Sequence, residues 1–461
     1  MSNFPGTLDT FNVIGTTNFM DEAGYVLHEH LNSHGSAIVQ IETTLGTNSG
    51  TSILKDFTAG EFAVARNSAG ALQDTLTAGT LNNTILGTPT VTGGTFTSPV
   101  LAGTPVLDVN SAIPFYGDNM SRQAIINGNF DIWQRGATGT PADLSSVFTA
   151  DRWFDFNSRD GGTLPTLSRT RQNLTPGTLE NGYYLSRLTT SGAGSVFGVS
   201  AQGRYIQRIE SGTRYLCGLN KKVTVSFWAK SDIVGKRIGL ALQQNYGTGG
   251  SPSTEEQIKN TEVFTLTSTL TKYTSTFTTN TLTGKTFGTN NDDYLEINLN
   301  YLWGTGYGNT YLLTGVTAES FVGAGYIDIA QVQLCAGDVA LPFQPKLFNE
   351  ELLLCQRYYE NSQNYGTPIN TASSEAYASA IAWDTNTCLP YIYYKATKRG
   401  TVTTNLYAYD GTLGAVKDQS GGNITGVSTS GSHQGISRLT KTSGFTATRW
   451  YIFHWEAIAE L

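Results

Sequence analysis

Charge is the scarcest commodity in this sequence. Lys, Arg, Asp and Glu together make up 14% of 461 residues, against roughly 25% in an average soluble domain. The balance is acidic, at −7, so a sequence-independent nucleic-acid surface is excluded: that role needs a basic patch. No apolar run approaches the length of about 18 residues that a membrane-spanning helix requires, so no membrane insertion is expected. The N-terminus, MSNFPGTLDTFNVIG, lacks the basic and apolar regions of a secretory signal, which places synthesis and a soluble fate in a cytoplasm. Cysteine is limited to Cys217, Cys335, Cys355 and Cys388. They form no CxxC pair and no zinc-ligand spacing with histidine, so they are expected as reduced, partly buried thiols. GxSxG, HExxH and phosphate-loop patterns are absent as well, and catalysis is not expected.

What remains is rich in Gly, Thr, Ser, Asn and aromatic residues. With 51 Gly and 11% aromatics, the composition is that of an all-β protein with many turns. Its texture changes along the chain. After an irregular segment 1–20, Leu27, Leu31, His34, Ile38, Ile41 and Leu45 recur at spacings of four and three, the narrow seam of a coiled coil. An amphipathic helix lying on a neighbouring domain is the competing reading of 21–55. His34 in the seam is a core histidine bridged by water or an anion, or a metal ligand on a symmetry axis. Residues 56–119 carry a Gly-Thr beat, at Gly79, Gly87, Gly94 and Gly103. This beat lies in a run, Thr75–Leu107, with no charged side chain. One copy of such a ribbon offers two or three apolar residues per strand and unpaired edges. Three copies wound about an axis would satisfy both, and like charges around that axis would repel. A flexible Gly/Thr linker is the alternative.

From Met120 onward the runs alternate as antiparallel strands do. In Lys222–Lys230 (KVTVSFWAK), Val223, Val225, Phe227 and Ala229 form one face. Tyr273–Phe277, Tyr294–Leu299 and Tyr326–Leu334 read alike, and 120–345 suits one jelly roll. Asn349 would cap a short helix within 346–360 that links to a second small β-sandwich over 361–461. Two places mix aromatic faces with planar hydrogen-bonding groups, the mixture that holds sugars. One is Asn300–Tyr311 (NYLWGTGYGNTY), read as a loop bearing Tyr301, Trp303, Tyr307 and Tyr311. The other is the tip, with Trp383, Asp384, Asn386, Tyr407, Tyr409 and Asp410 beside the run Gly421–Gly435. The carboxylates of Asn290–Glu296 resemble a glycosidase pair only as an acidic turn would. Asp384, His433 and His454 could serve as acid/base partners only if the fold gathered them.

In the order of these parts, the sequence resembles a bacteriophage tail fibre. LHEHLNSHGSAIVQIETTLGTNSG, INGNFDIWQRG, ADRW, VTVSFWAKS, IDIAQVQLCAGDVALPFQPK, ELLLCQRYYE and the closing YIFHWEAIAEL carry the resemblance. It implies a homotrimer, assembled in a host cytoplasm, whose N-terminus docks to a virion tail or baseplate protein. Its C-terminal heads would meet a bacterial surface glycan or protein. A structural baseplate or decoration protein is the alternative, and a polysaccharide depolymerase a third. The middle domain also resembles jelly-roll carbohydrate-binding modules, which open on an N-G-N-F strand (Asn127–Phe130) beside a closing strand (Tyr326–Leu334). That resemblance admits a structural calcium as the one cofactor, with Asp131 and Asp328 as oxygen donors.

Overall fold

The computed structural model describes Met120 and residues 122–461. The attachment segment, the heptad seam and the Gly-Thr ribbon lie outside the described residues.

Between Thr138 and Ala336 the strands are β1 (Thr138–Gly139), β2 (Ser146–Phe148), β3 (Phe154–Ser158), β4 (Leu167–Asn173), β5 (Tyr184–Thr190) and β6 (Gln202–Glu210). After a short helix α1 (Gly212–Leu216) come β7 (Lys222–Ser231), β8 (Arg237–Asn245), β9 (Glu256–Thr265), β10 (Thr271–Thr278), β11 (Tyr294–Trp303) and β12 (Gly325–Ala336). They form two six-stranded antiparallel sheets, ordered β1-β4-β5-β12-β7-β10 and β2-β3-β6-β11-β8-β9. Successive strands repeatedly change sheets, as in a jelly roll.

The alternation read in the sequence explains why the two sheets close on each other. Val223, Val225, Phe227 and Ala229 are all fully buried in the shared core. From the other sheet, Ile238, Leu240 and Leu242 of β8 and Leu295, Ile297 and Leu299 of β11 enter that core. Its aromatic centre is Phe130, Trp153 and Tyr205, with Trp153 5.0 Å from Tyr205 and 5.5 Å from Phe130. Arg169 lies 3.9 Å over the Tyr205 ring and grips Asp155 with two guanidinium nitrogens.

The Asn127–Phe130 segment sits beside β12 as expected, but as a turn and not a strand. Its Gly128 carbonyl accepts from the Val332 N–H at 2.9 Å, at a bulge in β12. A Cβ on Gly128 would stand 2.1 Å from the Val332 oxygen, so only glycine fits this approach. Asn127 adopts φ 56°, tolerable for Asn, and its amide ties Ile132 to Asp151.

The remaining elements are a helical turn α2 (Thr305–Tyr307) running into a π-helical turn at Gly308–Leu312, and α3 (Phe348–Gln356). They are followed by β13 (Tyr359–Asn361), β14 (Ala378–Ala382), β15 (Thr387–Pro390), β16 (Ile392–Tyr393), β17 (Thr403–Tyr407), β18 (Ala415–Asp418), β19 (Asn423–Thr425), β20 (Ser428–Gly431), β21 (Gly435–Thr440) and β22 (Trp450–Ile458). Here β22 is the hub. Its first half pairs with β14 and β18, its second half with β13 and β17. Ala380, Leu406, Val416, Leu439, Tyr451 and Phe453 pack inside as a second core.

Helix α3 begins at Phe348, so Asn349 lies within its first turn; Glu350 accepts the Leu347 N–H instead. Segment 346–360 is more than a spacer. Arg357 holds Glu210 through two nitrogens at 2.9 and 2.8 Å, and Glu351 accepts the Asn127 N–H at 2.5 Å. Glu460 pairs with both Arg135 and Arg152. Arg135 and Arg152 each lie 3.5 Å over the rings of Tyr359 and Tyr358 respectively. The two β domains therefore share a dense polar junction. All four cysteines are buried and unpaired.

Candidate functional site

The second sheet turns one face to the core and leaves the other open. On β6 and β11, period-two alternation sends Tyr205, Ile209, Leu295 and Ile297 inward. The neighbouring positions, Gln202, Arg204 and Arg208 on β6 and Tyr294, Glu296 and Asn298 on β11, line a cleft of about 250 Å³. Strands β8 and β9 add Ala241, Gln243 and Gln257. The strand register places Arg208, Glu296, Gln243 and Gln257 in one row across the sheet. Tyr307 and Tyr311 close one end, carried by the helical turns that pack on Ala241 and Trp303. Their rings stack at 4.5 Å, and the Tyr307 hydroxyl donates to the Asn300 side-chain oxygen at 3.0 Å.

The charges of the cleft are matched internally. Arg208 Nε donates to Glu296 at 2.8 Å, and Arg204 Nη1 donates to Asn298 at 3.0 Å and to Glu296 at 3.4 Å. Arg204 and Arg208 thus stand against Glu296 and Glu255. Burial works against the Arg208 cation, but Glu296 beside it keeps its pKa above the ordinary value. Burial also pushes the Tyr294 phenol up to about 12 and raises that of Tyr307, so both stay neutral hydrogen-bonders. The amides are the distinctive feature. Gln207, Gln244, Gln331 and Gln333 all spend their side chains on protein partners. By contrast Gln202, Gln243 and Gln257 line the cleft with no protein hydrogen bond from their side chains among the described residues.

The residues expected from sequence are distributed differently. Tyr301 and Trp303 are core residues, each 1% exposed, because β11 continues through Trp303 by way of a bulge near Asn300. The Tyr301 hydroxyl shares its one proton between carboxylate and amide oxygens, Asp155 at 3.1 Å and Asn157 at 2.9 Å. Tyr307 is buried too, and reaches the cleft only as part of its wall. In the tip, Tyr407 is buried and donates to Glu456 at 2.7 Å. Asp384 and Asp410 cap turns by accepting the Asn386 and Thr412 N–H groups, and Asn386 lies in that first turn. Tyr409 lies under the Lys417 ammonium at 4.3 Å. Of these tip aromatics only Trp383 is prominent, at 73% exposed, beside the exposed Asp384 and Asn386.

Asp328 is buried and clasped by Arg187 through two contacts of 2.7 Å, with Lys230 at 3.7 Å. Asp131 accepts from Asn129 at 3.0 Å, and burial lifts its pKa to about 6. A carboxylate engaged this way by an arginine is poorly suited to calcium, and no group of three or more His, Cys, Asp or Glu is placed to hold a metal among the described residues. The carboxylates of Asn290–Glu296 are dispersed onto Thr248, Arg214 and the cleft arginines. Nor do Asp384, His433 and His454 meet: His454 binds Ser362 and the Ser373 carbonyl, and His433 the Gly400 carbonyl.

The sequence did carry a signal for the cleft: Gln202, Arg204 and Arg208 alternate along QGRYIQRIE, broken by Ile206, and Tyr294, Glu296 and Asn298 alternate along YLEINLN. Ordinary solvent-facing strands give the same signal, and only the fold shows that four such strands form one concavity.

No protein-family model matches the chain, and no curated protein matches it. Among solved structures the chain is similar to the enzymatically active domain of bacteriophage CBA120 tailspike protein 4, at 18% identity and a TM-score of 0.24. That match covers 47% of this chain and 21% of the tailspike chain, so this chain spans about a fifth of it. It is also similar to a CBM4 structure, at 17% identity and TM-score 0.25, over 46% of this chain and 98% of the other. A third is the CBM22-1 xylan-binding domain of Paenibacillus barcinonensis Xyn10C, at 12% identity and TM-score 0.23, over 45% and 99%. At TM-scores this low, what the cleft holds is decided by its own side chains.

Proposed function

We propose that the cleft of the middle domain binds a neutral glycan segment, and that the protein is a homotrimeric tail fibre attaching a phage to a bacterial surface. The observation that carries the first half is the set of three unengaged glutamine amides, Gln202, Gln243 and Gln257, lining one cleft with tyrosine walls. Planar amides pair with adjacent sugar hydroxyls, and phenol rings cover the apolar face of a pyranose. Cancelled charges favour an uncharged ligand. The order of parts in the sequence supports the fibre: heptad seam, uncharged ribbon, β heads. Three copies on each fibre and several fibres on each particle would raise avidity without a strong single site. The cleft is suited to binding and not to hydrolysis. A glycosidase acid must hold a proton, and both Glu296 oxygens face arginines.

Screening the full chain against bacterial surface glycans tests the reading. Retention of an uncharged oligosaccharide, with no new reducing ends on long incubation, is expected. Release of reducing ends would favour a depolymerase, and normal attachment of particles lacking residues 120–461 would remove the role in attachment.

A further inference from the structure

An antiparallel sheet that covers a core on one face normally shows water a polar second face. The C-terminal domain breaks this rule. Ala380 and Ala382 of β14 and Tyr451 of β22 face the core. The alternate positions, Ile381 beside Trp450 and Leu389 in register, form an outward groove of about 410 Å³ with Tyr377 and Tyr391. Tyr391 is 83% exposed, the neighbouring Tyr393 80% and Trp450 50%. Among the described residues no charged side chain lines this groove.

We propose that this outward face of β14, β15 and the first half of β22 is the surface on which copies of this chain meet. The proposal rests on the homotrimer reading given above and adds where the heads touch. A sugar is the poorer occupant. The floor is aliphatic, and the lining offers the hydroxyls of Ser379 and two tyrosines but no amide, carboxylate or guanidinium. Most hydroxyls of a bound sugar would be left without partners. A second copy suits the face better. Identical surfaces brought together about an axis repel if they carry charge, and this one carries none. Charges stand only at its margin, already satisfied: Arg449 on Asp418 at 2.9 Å and Lys417 over Tyr409. An apolar centre with a polar rim is the anatomy of a protein interface. The uncharged run Thr75–Leu107 upstream follows the same logic. Copies already tethered through it would meet at high effective concentration, so the face need not be strong.

The native thiols are all buried, so one introduced cysteine reports on its own surroundings. In the full chain, Ser379→Cys sits in the groove, and Val234→Cys replaces a side chain 92% exposed on the other domain. Their reaction with a bulky maleimide is compared while sedimentation gives the mass. The expected result is a trimer in which Ser379→Cys reacts about tenfold more slowly than Val234→Cys, as burial in an interface requires. Adding Leu389→Lys, which sets like charges against each other, should restore the fast rate. A trimer with equal rates at the two sites, repeated with Tyr391→Cys, would overturn the proposal and leave the homotrimer reading standing. A monomer would overturn both. Protection of Ser379→Cys only after a glycan is added would assign the face to a ligand and overturn it too.

Discussion

Tyr301 and Tyr391 have the same side chain and opposite fates, 1% and 83% exposed. Tyr301 looked loop-borne because Gly and Asn follow it closely. The bulge near Asn300 lets β11 run on to Trp303 and carries the ring into the core. Tyr301→Phe should therefore cost stability, not binding. It strips a hydrogen bond from Asp155 and Asn157 in a buried site, worth about 1–2 kcal/mol, measurable as a lower urea midpoint with glycan affinity unchanged. Gln243→Ala and Gln257→Ala should behave in the opposite way. Neither side chain makes a protein hydrogen bond among the described residues, so stability should move by about 1 kcal/mol or less, while each lost hydrogen bond should weaken glycan binding by about three- to tenfold. Residue type was legible at these positions; what each aromatic faces was not. Aromatic residues in β proteins fill cores and coat surfaces alike, and only the register separates the two.

At the scale of elements, the strands were the readable part. Val223, Val225, Phe227 and Ala229 alternate in the sequence and are all buried, since a period of two admits one inward face. The junction between the two β domains was not readable, because its partners lie far apart in the chain. Arg135 meets Glu460 across 325 positions and Arg357 meets Glu210 across 147, and no local pattern encodes such a pairing. Glu460→Gln leaves Arg135 and Arg152 short of their shared counter-charge in a buried place, a change that typically costs about 3–5 kcal/mol. Calorimetry should then show two unfolding transitions for the two β domains where the wild type is expected to show one. Asp131, within the loop that Tyr365 clasps through the Asp131 carbonyl, gives a pH signature. Burial lifts its pKa from 3.8 to about 6. The folded state thus binds the proton more tightly, and this group's contribution to stability falls as pH rises from about 4 to about 6. Over that window the wild type should lose ground against Asp131→Asn in thermal midpoint. A flat difference would show that the carboxyl titrates as it does in the unfolded chain.

For the whole molecule, the proposed fibre would combine a stem expected from the sequence to self-associate with a pair of β domains, one presenting an amide-lined cleft and the other an uncharged aromatic face. The two surfaces differ in the chemistry they offer: amides and charged groups among tyrosines in the first, aliphatic and aromatic side chains with a few hydroxyls in the second. On the proposed reading that contrast favours the middle domain as the ligand's site, although Trp383 in the tip is a highly exposed aromatic. Calorimetric titration of the full chain with its retained glycan, comparing wild type, the double variant Gln243→Ala/Gln257→Ala and Trp383→Ala, tests this assignment most directly. Binding at least about tenfold weaker in the double variant and wild-type affinity in Trp383→Ala are expected. Undiminished binding in a folded double variant, with loss in Trp383→Ala, would contradict this assignment and move the site to the tip.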